Sequence, residues 1–470
     1  MDLERLRRFV AGHWERSVLP ALCDYIAIPN QSPAYDREWA SNGLLERAVE
    51  LVAQWCRAQA VEGLQVEVVR LPGRTPLLWL EAGSDGASTV LLYGHLDKQP
   101  PFEGWRPGLG PFSPVREGDR LYGRGGADDG YAVFAVVTAF CALQEQGLRL
   151  PRCVGLIECS EESGSGDLEA YVAHLHERIG RPDLVVCLDS GCGDYERLWV
   201  TVSLRGLMNG VLRVRVLDEG VHSGGASGIV PSTFRIARLL LSRLEDAETG
   251  RILLPAAWCS IPEQRKQEAE EVARVLGPGL RDAFPFRPGV RPASEDPLDL
   301  VLNRTWRPQL EVVGASGLPD VRNAGNVLRP MTELKLSLRL PPRTDATQVA
   351  AAVRSCLEEN PPYGAEVTFE VAEAATGWDS PPLAADLHAV LDRASRTFWG
   401  EPPCSMGEGG TIPFMGMLGR MFPQSQFVVT GVLGPHSNAH GPNEFLHLPT
   451  AEKITATVAL LLAHSAQRDR

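Results

Sequence analysis

The chain of 470 residues lacks the features that mark several common classes of protein. Its 10 cysteines are scattered without a Cys-x-x-Cys pair, so the sequence indicates neither a disulfide framework nor a thiolate zinc site. Basic residues are fewer than acidic ones, with 46 Lys and Arg against 59 Asp and Glu. The net charge of -13 argues against nucleic acid or an anionic membrane as the main partner. No apolar run approaches the length of a membrane span, and no secretory segment opens the chain. We therefore expect a reduced, cytoplasmic protein.

Three segments are almost entirely apolar, as expected for strands that are covered on both faces. These segments are 88–93, 153–157 and 184–188. Histidine or carboxylate residues follow or end each of them: His95 and Asp97, then Glu161 and Glu162, then Asp189. Open α/β sheets bind ligands at the carboxyl ends of their strands, so these side chains are predicted to meet in one site.

Further carboxylates and a second histidine extend this set. Helices are predicted over 129–146 and 167–178, which would put the Asp128-Asp129 pair and the Glu pair near helix N-termini. His440 lies in a polar loop near the C-terminus. Carboxylates can bridge two cations and imidazole suits zinc, so no soft thiolate is needed. Each residue alone has an ordinary structural explanation, but together they predict a hydrolase that uses two divalent metal ions.

Alternating helix-like and strand-like segments over residues 1–200 predict βαβ units and a mainly parallel sheet. The pattern then changes, because 199–202 and 211–216 alternate like antiparallel strands with one wet face. Residues 201–376 are predicted to form an inserted α+β domain, and the α/β pattern resumes over 377–470. The predicted fold class is therefore α/β. Its catalytic domain carries a di-metal site at the C-terminal ends of the strands and is interrupted by a lid or dimerisation domain.

Five segments, in order along nearly the whole chain, resemble one known family. They are GHLDKQP at 94–100, YGRGGADD at 122–129, ECSEESGSGD at 158–167, EGGTIP at 408–413 and NAHGPNE at 438–444. The family is that of the zinc-dependent carnosinases, dipeptidases, glutamate carboxypeptidases and succinyl-diaminopimelate desuccinylases. The chain is most similar to the bacterial dipeptidase or desuccinylase-like branch. Gly130-Tyr131 after the Asp pair, and the lack of a histidine shortly before Trp378, distinguish it from carnosinases.

The resemblance implies roles for the metal-binding candidates. Asp128 would bridge two divalent ions, which would be zinc, with manganese and cobalt as alternatives. His95 and Asp189 would complete one metal site. Glu162 and His440 would complete the other.

The resemblance also implies catalytic roles. Glu161 would be the general base, taking a proton from a metal-bridging water and passing it to the departing amine. Two cations would lower the pKa of that water and polarise the amide carbonyl. Asp97 would hold the imidazole or the base in place, and the peptide bond after Asp128 would be cis. His222 resembles a histidine that, in dimeric relatives, crosses to the other subunit's active site and stabilises the oxyanion.

Substrate contacts are implied at further positions. Asn326 and Arg339 match positions that contact the substrate carboxylate, and an Arg guanidinium suits a two-point grip on such a group. The pocket wall would be formed by Glu408, Gly409, Gly410 and Thr411. The expected partners are a small peptide or acyl amino acid substrate and a second copy of the chain, paired through the lid.

Three functions are compatible with these residues. The leading one is a dipeptidase or short-peptide hydrolase. The second is an N-acyl amino acid amidohydrolase, such as a succinyl-diaminopimelate desuccinylase, which would share every metal ligand and differ in the pocket. The third is an inactive binding homologue, which predicts a lost ligand or base, whereas this chain has the complete set.

Overall fold

The computed structural model describes residues 1–84, 88–410 and 412–467. Its strands are β1 (Gln65–Val69), β2 (Leu77–Ala82), β3 (Thr89–His95), β4 (Val115–Glu117), β5 (Arg120–Tyr122), β6 (Arg152–Glu158), β7 (Leu184–Cys187), β8 (Trp199–Leu204), β9 (Gly206–Arg215), β10 (Val221–His222), β11 (Gln309–Ser316), β12 (Val327–Leu328), β13 (Met331–Leu340), β14 (Glu366–Ala375), β15 (Trp378–Asp379), β16 (Cys404–Glu408), β17 (Gln426–Val429) and β18 (Phe445–His447). Its helices are α1 (Leu3–His13), α2 (Leu19–Ile26), α3 (Trp39–Asn42), α4 (Leu44–Arg57), α5 (Tyr131–Glu145), α6 (Leu168–His174), α7 (His176–Ile179), α8 (Ser223–Ala226), α9 (Thr233–Leu244), α10 (Glu263–Leu276), α11 (Gly279–Asp282), α12 (Pro297–Thr305), α13 (Ala346–Glu358), α14 (Ala385–Phe398), α15 (Pro413–Met421) and α16 (Leu448–Ser465).

The larger sheet has nine strands in the order β1-β2-β6-β3-β7-β17-β8-β15, and β16 also pairs with β8. Its centre, from β6 through β3 and β7 to β17, is parallel. Antiparallel pairs lie on either side of this centre, so the sheet is mixed. The predicted α/β class is confirmed, with the parallel strands confined to the middle of the sheet. Because parallel strands end at one edge, the residues after β3, β6 and β7 lie side by side.

Helices cover both faces of the larger sheet, which explains the nearly continuous apolar runs of its central strands. Val90 and Leu92 of β3 pack with α1, α4, α5, α14 and α16 on one face. Leu91 and Tyr93 pack with α6, α7 and α15 on the other face. All seven residues of β3, including His95, are buried.

A second sheet of four antiparallel strands, in the order β11-β13-β9-β14, has its own core against α9 and α13. The alternating burial of β9 and β13 matches the amphipathic pattern in their sequences. The chain crosses from the larger sheet to this one between Leu204 and Gly206, and returns between Ala375 and Trp378. The two crossings touch, because a Cβ atom on Gly377 would lie 2.4 Å from the carbonyl oxygen of Leu204.

Strand β8 corrects one sequence prediction. Residues 199–202 were expected in an antiparallel strand with one wet face, yet all six residues of β8 are buried and the strand belongs to the larger sheet. Thr201 alternates with apolar residues in the sequence, but it is 1% exposed and its hydroxyl lies 2.6 Å from that of Ser190. Helices α10 and α12, from the polar stretch before residue 306, pack on this part of the sheet around Trp199 and Met406.

One helical segment, Gly126–Glu145, is long and apolar enough to cross a membrane. This corrects the expectation that no apolar run reaches such a length. The segment contains α5, and its apolar window is wholly buried inside the fold. Helix α5 packs against β3 and α16, so its apolar surface is used in the core.

Candidate metal centre

The predicted ligands converge at the carboxyl edge of the central strands. His95 is the last residue of β3, and Asp189 follows β7 by two residues. Glu161 and Glu162 begin a short 3-10 turn after β6. They do not lie at the N-terminus of the next helix, as the sequence predicted, because α6 begins only at Leu168.

Asp128 lies at the centre of this group, and its two carboxylate oxygens face opposite ways. Oδ1 lies 3.3 Å from Nε2 of His95, which is also 3.7 Å from Oδ2 of Asp189. Oδ2 lies 2.9 Å from Nε2 of His440, which is 3.2 Å from Oε2 of Glu162. The side chains thus form two groups of three that share Asp128, each with its ligand atoms within 4.8 Å of one another.

The electrostatics of the two groups favour cations. Burial, together with the charges of Asp128 and Glu162, raises the pKa of Asp189 to about 7. Although burial opposes protonation of His440, its hydrogen bonds to Asp128 and Glu162 raise its pKa to about 11. Burial also opposes protonation of His95, yet Asp189 and Asp128 raise its pKa well above the ordinary value. Imidazole and carboxylate donors in this crowded, electron-rich arrangement fit divalent metal ions.

Asp97 holds the turn that carries the two glutamates. Its Oδ1 accepts a hydrogen bond from the backbone N–H of Glu161 at 3.1 Å, and its Oδ2 accepts one from Glu162 at 3.0 Å. Oδ1 also lies 3.5 Å from Nδ1 of His95. Asp97 is fully buried, so these contacts fix it between an imidazole and the candidate base. Burial raises the pKa of Glu161 well above its usual range, and the charge of Asp189 raises it further.

The two loops that complete the centre have unusual backbones. The peptide bond between Asp128 and Asp129 is cis, as the resemblance implied. His440 has a φ of 63°, in the left-handed region, and its side chain is 56% exposed. Its imidazole therefore faces the group from the open side, while His95 is enclosed.

The candidate pocket wall lies beside a cluster of arginines. The Nε–H of Arg205 donates to the carbonyl oxygen of Gly409 at 3.1 Å, and Arg304 lies 3.3 Å from the carboxylate of Glu408. Burial, together with the positive charges of Arg339 and Arg304, lowers the pKa of Arg205 to about 10. Arg205 and Arg304 therefore lie against Gly409 and Glu408, and Arg339 is near enough to Arg205 for their charges to interact. Gly410 follows Gly409 at the surface, and Thr411 lies outside the described residues.

His222 and Asn326 are placed together on the second sheet's side of the molecule. His222 ends the short strand β10, which pairs with β12, and the N–H of Ser223 donates to the carbonyl oxygen of Asn326. Both residues are exposed. His222 accepts a hydrogen bond from the N–H of Gly224 at 3.1 Å. Within the described part of the chain, no hydrogen bond or ion pair joins it to the metal-binding side chains.

Other residues of the site were not singled out from the sequence. Nε2 of Gln99 donates to Oε2 of Glu162 at 2.6 Å. Arg124 and Glu444 form a buried ion pair beneath the two loops. All three lie inside motifs that carry the family resemblance, so motif membership was the available signal. Arg205 had no such signal, because its role depends on a junction between sheets.

An α/β sheet with two ligand groups that share one carboxylate, that of Asp128, is typical of metal-dependent hydrolases. The chain belongs to peptidase family M20/M25/M40, whose family model matches residues 91–464. It is therefore a metallopeptidase, and the resemblance inferred from the five motifs is confirmed.

Individual relatives agree with this assignment. The cysteinylglycine-S-conjugate dipeptidase of Corynebacterium striatum is 28% identical over 422 residues, covering 86% of this chain and 88% of the relative. The Beta-Ala-His dipeptidase of Homo sapiens is 27% identical over 366 residues, covering 75% of this chain and 70% of the relative. The structure of the dipeptidase Dug1p of Saccharomyces cerevisiae has a TM-score of 0.79 at 20% identity, with 99% of both chains covered. At that identity the likeness shows the fold alone.

Proposed function

We propose that this metallopeptidase is a di-zinc dipeptidase that hydrolyses the amide bond of dipeptides or short peptides. The observation that carries the proposal is the sharing of Asp128 between two three-residue ligand groups. His95 and Asp189 belong to one group, and Glu162 and His440 to the other. A shared carboxylate is the arrangement that holds two cations close together.

The chain's own residues supply the proton transfers. Bound divalent cations would acidify the attacking water and polarise the scissile carbonyl. Glu161 accepts the proton of that water and passes it to the departing amine, for which a pKa raised by burial is suited. Asp97 keeps Glu161 in place through its backbone N–H. Both carboxylate oxygens of Asp97 accept backbone N–H groups of the turn, so Asp97 acts through Glu161 and not on the substrate.

The arginine cluster supports a substrate with a free carboxylate. Arg339 would take the carboxylate of the substrate, with Asn326 as a further contact, and Arg205 would hold the 408–410 turn against it. Dipeptides end in such a group, and the relatives with the cited similarities are dipeptidases. N-acyl amino acids also end in a carboxylate, so they are the competing substrate class.

The experiment compares both substrate classes on zinc-loaded enzyme. We expect kcat/KM for the best dipeptide to exceed that for any N-acyl amino acid, including N-succinyl compounds, by at least tenfold. The reverse order would replace the dipeptidase proposal by the amidohydrolase. A second comparison uses a dipeptide and its C-terminal amide: the wild type should prefer the free carboxylate, and Arg339→Met should lose that preference. Arg213→Met, on the neighbouring strand and paired with Glu333, is the matched control.

We also propose a cytoplasmic homodimer paired through residues 201–376, with His222 of one subunit completing the other subunit's active site. All ten cysteines are free, which supports a reducing compartment. The exposed position of His222 supports action in trans. Mixing inactive His222→Ala and Glu161→Gln variants under subunit exchange should restore activity, because one site per heterodimer is then intact. If exchange is confirmed and activity stays absent, or if the active enzyme is a monomer, the trans role is wrong.

A further inference from the structure

The two candidate metal positions are built on different kinds of backbone. His95 and Asp189 come from neighbouring strands at the centre of the larger sheet, and the side chain of His95 has no exposed surface. His440, in contrast, lies in a loop over residues 434–444 that has positive φ angles at four non-glycine positions. No strand of the sheet supports this loop where His440 lies. Contacts outside the sheet therefore have to hold the imidazole of His440 next to Asp128.

A buried ion pair fastens this loop. The Nη1 atom of Arg124 lies 2.5 Å from Oε2 of Glu444, and the two side chains are 1% and 0% exposed. Nη2 of Arg124 donates at 2.5 Å to the carbonyl oxygen of Gly441, the residue directly after His440. The guanidinium of Arg124 therefore binds the loop at two points, at Gly441 and at Glu444.

Glu444 also binds the backbone of the loop that carries Asp128. Its Oε1 accepts backbone N–H groups from Gly125 at 3.0 Å and from Ala127 at 3.4 Å. Its carbonyl oxygen accepts the N–H of Gly123 at 3.1 Å. The segment 123–127 leads directly into Asp128, so the pair joins two loops that are 320 residues apart in sequence.

We propose that Arg124 and Glu444 are positioning residues that set metal affinity at the group formed by Asp128, Glu162 and His440. The other group shares Asp128, but its remaining ligands, His95 and Asp189, come from β3 and from the residues just after β7, so its metal affinity should change much less. The physical reason is that a side chain must be pre-placed to bind a metal well, and outer residues that orient ligands typically change affinity by about 10–100-fold. The inference rests on the proposed pair of metal ions.

The variants have to avoid a stranded buried charge. Removing one partner of a buried pair leaves the other uncompensated, which destabilises the fold by itself. We therefore choose the double variant Arg124→Met with Glu444→Gln, which removes both charges and keeps an oxygen for the N–H of Gly125. Arg124→Lys keeps the charge but cannot reach Glu444 and Gly441 together, so it should give an intermediate effect.

Arg152→Met is the matched control. Its guanidinium also binds one carboxylate, of Glu81 at 2.7 Å, and backbone carbonyl oxygens, of Ile179 at 3.0 Å and of Arg178 at 2.5 Å. It begins β6, at the opposite end of that strand from the metal centre. This variant should lower thermal stability without changing metal affinity.

The experiment titrates metal-free protein with Co²⁺, followed by its absorption spectrum and by calorimetry, and checks the bound metal by elemental analysis. The wild type should show two binding events, and His440→Ala identifies which of them belongs to the loop. In the double variant we expect that event to weaken about 10–100-fold while the other changes by less than threefold.

The outcomes separate the two proposals. A single binding event in the wild type would overturn the di-metal proposal, and with it this inference. Two events that weaken equally in the double variant, or a loop event that stays unchanged, would overturn the positioning role alone. An equal effect of Arg152→Met would also overturn it, because any lost ion pair would then act in the same way.

Discussion

Asp97 allows the most direct test of how the site is held together. In Asp97→Asn, one of the two carboxylate oxygens becomes an NH₂ group of nearly the same size. The two oxygens accept the N–H groups of Glu161 and Glu162. Because an amide has one acceptor oxygen, one of these bonds is lost and two N–H donors then face each other in a buried position.

The magnitude follows from these contacts. A hydrogen bond to a charged acceptor contributes about 1.5–3 kcal/mol, and a buried donor without a partner costs about 1–3 kcal/mol. The turn that carries Glu161 is thus destabilised in its working position by roughly 2.5–6 kcal/mol. If about 3 kcal/mol of this cost is added to the activation free energy because the base is misplaced, kcat falls on the order of 100-fold.

The assay measures kcat and KM on a dipeptide, with the metal content of the same sample. Because Asp97 also accepts the N–H of the ligand Glu162, the assay is run at saturating metal. Under that condition we expect kcat to fall by about 100-fold. Asp183→Asn is the control, since Oδ2 of Asp183 accepts the N–H of Thr89 at 2.9 Å at the other end of β3. A kcat for Asp97→Asn within threefold of wild type, or an equal loss in the control, would refute the reasoning.

Three further outcomes are expected. Glu161→Gln should lower turnover by more than the roughly 10²–10⁴-fold typical of proton-transfer groups while both metals stay bound; retention of a tenth of the activity would show another base. Asp128→Ala should lose one or both ions in elemental analysis, since it belongs to both groups, whereas His440→Ala should empty mainly one. Burial raises the pKa of Glu158 from 4.5 to about 7 in the folded protein. Its contribution to folding stability is therefore fully present below pH 4.5 and is lost as pH rises through 7, because the folded state holds this proton more tightly than the unfolded state. In metal-free protein, Glu158→Gln should therefore flatten the fall of Tm between those pH values; an unchanged slope would contradict the shift.

The sequence predicted which side chains meet at the carboxyl edge of the sheet, because these signals are local. A buried strand and the polar residue at or just after its end are neighbours in the chain. The apolar runs of β3 and β7 therefore indicated His95 and Asp189 directly. The shared role of Asp128 was available only through the family resemblance, since the spacing of the carboxylates does not show which of them two cations would share. The structure places its two oxygens between two imidazoles.

Contacts between distant segments could not be read in the same way. Spacing alone does not pair Arg124 with Glu444, which are 320 positions apart. The interpretation of β8 was wrong because Thr201 counts as polar in a periodicity argument, although a hydroxyl partner lets it be buried. Helices α10 and α12 were not predicted from the sequence. Their apolar residues pack against Trp199 of β8 and Met406 of β16, which are distant in the chain.

The touching crossings at Gly206 and Gly377 make the second sheet an exchangeable module. A segment that leaves and re-enters a host fold at one point can be gained, lost or swapped without moving the host's strands. The exchange has a condition here, because the same insertion carries the helices that cover Trp199 and Met406. A shortened relative, natural or engineered, has to keep those helices or replace the apolar surface of β8 and β16 with polar residues. Bare, this surface would be an exposed apolar patch and an aggregation site.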